Sequence, residues 1–115
     1  MKSSPAKFHY LTIDQVNAVT AEELADEHGV PLELVEPRDL PRLENENTRL
    51  IVDWDFLPDD YRDRVLTSPA LHVVAIHGYN VPDSVAAFLP RRGILCFTKL
   101  GREMFRRLHG LAPAA

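Results

Sequence analysis

Four short stretches carry side chains able to act on a charged group: Asp14 beside Gln15, the tripeptide Asp53-Trp54-Asp55, His77 before Gly78, and the pair Thr98-Lys99. Carboxylates gathered at one point repel one another unless a cation compensates. Two or three of them near a lysine therefore imply a hard, oxygen-seeking ion such as magnesium, or a direct pairing with Lys99. Each residue also has a plainer use. An Asp at the end of a strand commonly caps the helix that follows it. His77 before Gly78 suits a turn, and the other histidines (His9, His28, His72 and His109) are too scattered to suggest zinc. Cys96 stands alone in an apolar run and is expected to be small, buried and inert.

These groups need a frame that brings them together. Five runs have the β-branched and aromatic composition of strands, at residues 8–13, 32–35, 49–52, 71–76 and 94–97. Stretches such as Leu-Ile-Val and Val-Val-Ala-Ile are apolar almost throughout, which suits strands covered on both faces, as in a parallel sheet. Helical patterns lie between them. Thr20 with Glu23 reads as a capping box opening the first helix, which Gly29 closes. Pro58-Asp59-Asp60 opens another, ended by Ser68-Pro69. Val81, Val85 and Phe88 fall on one face of a third, and Leu100, Met104 and Leu108 form the stripe of a last helix over residues 101–109. Between residues 36 and 48, Pro37 and Pro41 leave room for at most one helical turn. The order predicts an α/β fold, a doubly wound, flavodoxin-like sheet of five parallel strands ordered 2-1-3-4-5, with one crossover helix short or missing. In such sheets ligands bind beyond the carboxyl ends of the strands, where Asp14, Asp53, Asp55, His77, Thr98 and Lys99 all lie.

The chain has 115 residues, enough for one domain, expected over residues 8–109, with residues 1–7 as an arm and 110–115 as a frayed tail. With 45% apolar and 26% charged residues, the composition excludes disordered and disulfide-rich classes. A single cysteine and the lack of a signal-like apolar core near the start lead us to expect a cytoplasmic protein. No apolar run approaches the roughly 18 residues of a membrane span. Charge is uneven along the chain, with fourteen acids against five bases in residues 1–60 and three against eight in 61–115. Such bipolarity favours partners of either sign or head-to-tail self-association.

The layout over about residues 8–109 resembles the receiver domain of bacterial response regulators. Leu-Thr-Ile-Asp14-Gln15 is similar to the acidic motif after the first strand, Leu50-Ile-Val-Asp53-Trp-Asp55-Phe-Leu57-Pro58 to the phosphoacceptor motif, and Phe97-Thr98-Lys99-Leu100 to the lysine motif of the last strand. The resemblance implies a pocket, bordered by Thr98, where magnesium is held by Asp14, Asp53 and Asp55 and a phosphoryl group meets Lys99. Four positions depart from the pattern. Gln15 replaces a second acid, His77 replaces the switch hydroxyl, Leu100 replaces proline, and the usual spacing back from Pro58 reaches Trp54, whose indole would block a phosphoryl group. The expected function is therefore a degenerate, phosphorylation-independent interaction module rather than an enzyme, with no cofactor required and magnesium as the one candidate.

Its partner would be a protein or a second copy, met through Arg91, Arg92, Arg102, Arg106 and Arg107 in and before the last helix. The alternative is a working phosphoacceptor, Asp53 or Asp55, with magnesium. Asp53-Trp54-Asp55 also resembles the nucleophile motif of haloacid-dehalogenase-like phosphatases, but follows the wrong strand and lacks a later acidic pair. Nucleic-acid binding is disfavoured by the net charge of −4, which opposes phosphate contact.

Overall fold

The computed structural model describes residues 7–44 and 48–111. Five strands, β1 (Phe8–Leu11), β2 (Leu32–Val35), β3 (Arg49–Asp53), β4 (Val73–His77) and β5 (Leu95–Phe97), form one sheet ordered β2-β1-β3-β4-β5. All neighbours are parallel. The helices are α1 (Gln15–His28), α2 (Leu40–Leu43), α3 (Asp59–Thr67), α4 (Asp83–Phe88) and α5 (Arg102–Leu111). This is the flavodoxin-like arrangement that the alternation of patterns predicts. The weak crossover between β2 and β3 is a 3-10 turn, Pro37–Asp39, followed by the single turn of α2.

Side-chain parity divides the core into two layers. Phe8, Tyr10, Ile51 and Ala75 point one way and pack with Ala21 and Ala25 of α1 and Met104, Phe105 and Leu108 of α5. Leu11, Leu50, Val52 and Ile76 point the other way, onto Leu40, Leu43, Val65 and Leu89. Burying each of these larger side chains is worth about 1.5–3 kcal/mol, so a one-residue slip in register would exchange both layers at prohibitive cost.

Two helix boundaries differ from expectation. α1 begins a turn and a half before Thr20, because the Asp14 carboxylate accepts a hydrogen bond from the Asn17 backbone N–H at 2.9 Å and caps the helix there. Its end is as expected: Gly29 adopts φ +66°, a left-handed conformation that favours glycine. α5 runs on through Gly110 and Leu111, so these two residues of the expected tail are helical. Residues 1–6 of the arm and 112–115 of the tail lie outside the described residues.

Cys96 is exposed, contrary to the expectation of a buried thiol. It lies on the edge strand between Leu95 and Phe97, which turn toward the α1/α5 layer, so its own side chain faces the opposite side at the margin of the sheet. Partial burial raises the thiol's pKa above the ordinary value. A thiol reagent such as dithionitrobenzoate is expected to label the folded protein without denaturant, faster as pH rises. Labelling only after urea is added would contradict this placement.

Candidate functional site

The sheet register assembles a polar row at the carboxyl rim. Leu11 lies opposite Val52, Asp53 opposite His77, and His77 opposite Phe97. One residue past Leu11, Thr12 stands beside Asp53 and its hydroxyl donates to Asp53 Oδ2 at 2.7 Å. Asn17, in the first turn of α1, donates its side-chain amide to the same oxygen at 2.9 Å. Asp53 is only 1% exposed, and its other oxygen, Oδ1, has no hydrogen-bond partner among the described residues. His77 Nε2 lies 3.9 Å from it.

His77 is buried and tied to β1. Its Nε2 shares a 2.7 Å hydrogen bond with the Tyr10 hydroxyl, and the two rings stack with centroids 5.6 Å apart. Burial lowers the imidazole's pKa below its ordinary value, against the opposing pull of the Asp53 and Asp55 charges. Burial likewise raises the Tyr10 phenol, reinforced by the negative charges of Asp53 and Asp14. Both groups are thus held neutral next to a carboxylate.

Asp55 has a different occupation. Its oxygens accept the backbone N–H groups of Tyr79 at 2.8 Å and Asn80 at 2.9 Å, pinning the loop after β4 to the loop after β3. Gly78 makes this possible, since a Cβ there would come within 2.8 Å of Asp55 Oδ1. Trp54 does not floor the pocket, as the spacing argument had it. It turns into the opposite core layer, where the Arg62 guanidinium covers its ring at 5.0 Å and donates to its carbonyl at 2.9 Å.

Asp53, Asp55, His77, Thr98 and Lys99 line one cleft of about 530 Å³, together with Asn17, Phe56, Tyr79, Asn80 and Leu100. Asp14 does not. It caps α1 and faces a neighbouring groove between the ends of β1 and β2. Thus the three carboxylates expected to share magnesium do not form a ligand set. Among the described residues no three His, Cys, Asp or Glu side chains are grouped to hold a metal ion. A hard cation needs about six oxygens, whereas Asp55 is engaged by amides and Asp14 by a helix cap.

The five arginines do not form one unpaired patch. Arg102 bonds Glu27 of α1 at 2.9 Å, Arg106 bonds Glu103 at 2.6 Å, and Arg92 lies over the Phe88 ring at 5.5 Å. Arg91 and Arg107 are exposed and form no ion pair with any described residue.

Tyr10, Thr12 and Asn17 are site residues that motif reading passed over. The signal for two of them was parity: positions 8, 10 and 12 share a face with 51 and 53. Asn17 is one helical turn from Asp14, but only the position of the cap brings it to Asp53.

The depressed pKa of His77 has a consequence for stability. The unfolded chain takes up a proton near the ordinary value of 6.5, before the folded protein does, so the group's contribution is intact above that pH and lost as pH falls toward the folded value. Urea unfolding between pH 7.5 and 5 is expected to show native protein losing more stability than the His77→Gln variant. Equal losses would contradict the burial of a neutral imidazole.

Among the described residues, no helix is long and apolar enough to cross a membrane. No protein-family profile matches the sequence, and no curated protein or solved structure matches it at a significant level.

Proposed function

We propose that this chain is a receiver-like interaction module that works without a phosphorylation cycle. The observation that carries the reading is the state of its carboxylates. A phosphoacceptor needs a cation alongside, held by neighbouring carboxylates, to offset the charge that a phosphoryl group adds. Asp53 is buried with two donors on Oδ2, and Asp55 is engaged by two backbone amides. Gln15, in place of a second acid, supplies no charge for a cation. The layout of Asp53, Thr98 and Lys99 around one cleft supports the resemblance, while these engagements argue against its usual chemistry.

Nuclear magnetic resonance with magnesium and beryllofluoride tests this directly. Amide signals of Asp53, His77, Thr98 and Lys99 are expected to stay in place. Saturable shifts at these residues would instead establish Asp53 or Asp55 as a working phosphoacceptor.

The contact surface in this reading is the last helix with the 3-10 turn before β5. Since Arg102 and Arg106 are engaged by Glu27 and Glu103, the basic side chains left for a partner there are Arg91 and Arg107, and arginine forms strong bidentate pairs with carboxylates. The acidic first half of the chain supplies a complementary surface on a second copy. Light scattering is expected to detect dimers at low salt that dissociate at high salt and in the Arg91→Glu/Arg107→Glu variant. A monomer at every micromolar concentration and salt would overturn self-association.

A further inference from the structure

The cleft at the carboxyl rim holds two charged groups whose needs the protein leaves unmet. One is Asp53 Oδ1, an acceptor without a hydrogen-bond partner on a side chain 1% exposed. Leaving a buried acceptor unmatched costs about 1–3 kcal/mol, more for a charged one. The other is Lys99, exposed on the cleft wall and paired with no described carboxylate. Phe56 and Tyr79, 44% and 73% exposed, line the same cleft and offer two aromatic side chains to solvent.

Metal does not answer this arrangement, because one orphaned oxygen falls far short of a hard cation's shell. A plain anion does not either, since Asp53 and Asp55 both line the cleft and would repel it. The matching ligand carries both a donor and an acceptor. We propose that this cleft binds a small organic zwitterion with an aromatic body, its ammonium directed to Asp53 and its carboxylate to Lys99.

In that pose the ammonium donates to the oxygen left open by Thr12 and Asn17, and the ring lies against Phe56 and Tyr79. Exposed aromatic rings attract both organic cations and other rings. Lys99 closes the anionic end, with the Thr98 hydroxyl and the Asn80 side chain on the same wall as further polar partners. A volume of about 530 Å³ falls within the range of small-molecule sites. Asn17, half-buried on the same cleft, is bonded to Oδ2, so Oδ1 is the acceptor still without a partner. The proposal rests on the cleft's not being a phosphorylation site.

The probe is L-phenylalanine, with phenethylamine lacking the carboxylate and hydrocinnamate lacking the ammonium, each titrated at millimolar concentration against the full chain while amide signals are followed. Saturable shifts at Asp53, His77, Asn80 and Lys99 are expected, strongest binding for phenylalanine, weaker for phenethylamine and weakest for hydrocinnamate. A charge-assisted hydrogen bond is worth about 1.5–3 kcal/mol, so Asp53→Asn should weaken phenylalanine by roughly tenfold or more. Lys99→Met, on an exposed side chain that the fold does not need, should abolish the preference for phenylalanine over phenethylamine. Hydrocinnamate binding as well as phenylalanine, no saturable shift with any probe, or Lys99→Met retaining the preference would each overturn the proposal. A cleft silent to all three probes and to beryllofluoride with magnesium removes this proposal alone. A response to beryllofluoride removes the reading under Proposed function together with it.

Discussion

The burial of Asp53 is the constraint around which the rim of this protein is organised. A carboxylate removed from water has to be surrounded by donors or by opposite charge, because desolvation otherwise costs several kcal/mol. Here Thr12 and Asn17 supply two donors to one oxygen. Those two residues come from the end of β1 and the first turn of α1, so the requirement of one side chain on β3 determines how its neighbour strand exits into its helix. The Asp14 cap, which starts α1 early, is part of the same arrangement: Asp14 N–H bonds the Thr12 hydroxyl at 3.0 Å, and Asp14 Oδ2 holds Asn17 N–H. A helix beginning at Thr20 would leave Asn17 with no fixed geometry and Asp53 with a single donor.

The second layer of the arrangement is the neutral pair Tyr10 and His77. Both lie on the α1/α5 face, one pleat below and beside Asp53, and both are held uncharged by their surroundings. A protonated imidazole at that place would find a carboxylate oxygen 3.9 Å away, too long for a hydrogen bond yet close enough for attraction. Desolvation is the larger influence, so the ring stays neutral despite that neighbour. The polar row therefore has the Asp53 carboxyl group at its centre, flanked by hydroxyl, amide and neutral imidazole.

Much of this was legible in the sequence. Continuous apolar runs separated by helical patterns lead directly to a parallel sheet, and Pro58 and Pro82 stand at the starts of α3 and α4 as their chemistry requires. The collection of Asp53, Asp55, His77, Thr98 and Lys99 at one rim follows from strand order alone. What sequence could not convey was how each carboxylate is employed. Asp55 is engaged by backbone N–H groups 24 and 25 residues away, a pairing with no signature in side-chain spacing. Asp14 looks the same as Asp53 in a motif, yet one faces a helix end and the other the core. Trp54 and Cys96 were misplaced for a shared reason: beyond the last paired residue, or on an edge strand, alternation no longer tells which side is covered.

Trp54 and Gly78 together give the rim a mechanical character. The bare Cα of Gly78 sits where a methyl group would be 3.1 Å from Trp54 Cβ, and Trp54 in turn is sandwiched by the guanidinium of Arg62 on α3. Tyr79 and Asn80 are tied by their backbone N–H groups to Asp55, and its neighbour Trp54 is held by Arg62, so an unbroken chain of contacts joins the loop after β4 to α3, and the rim is braced from the far side of the sheet.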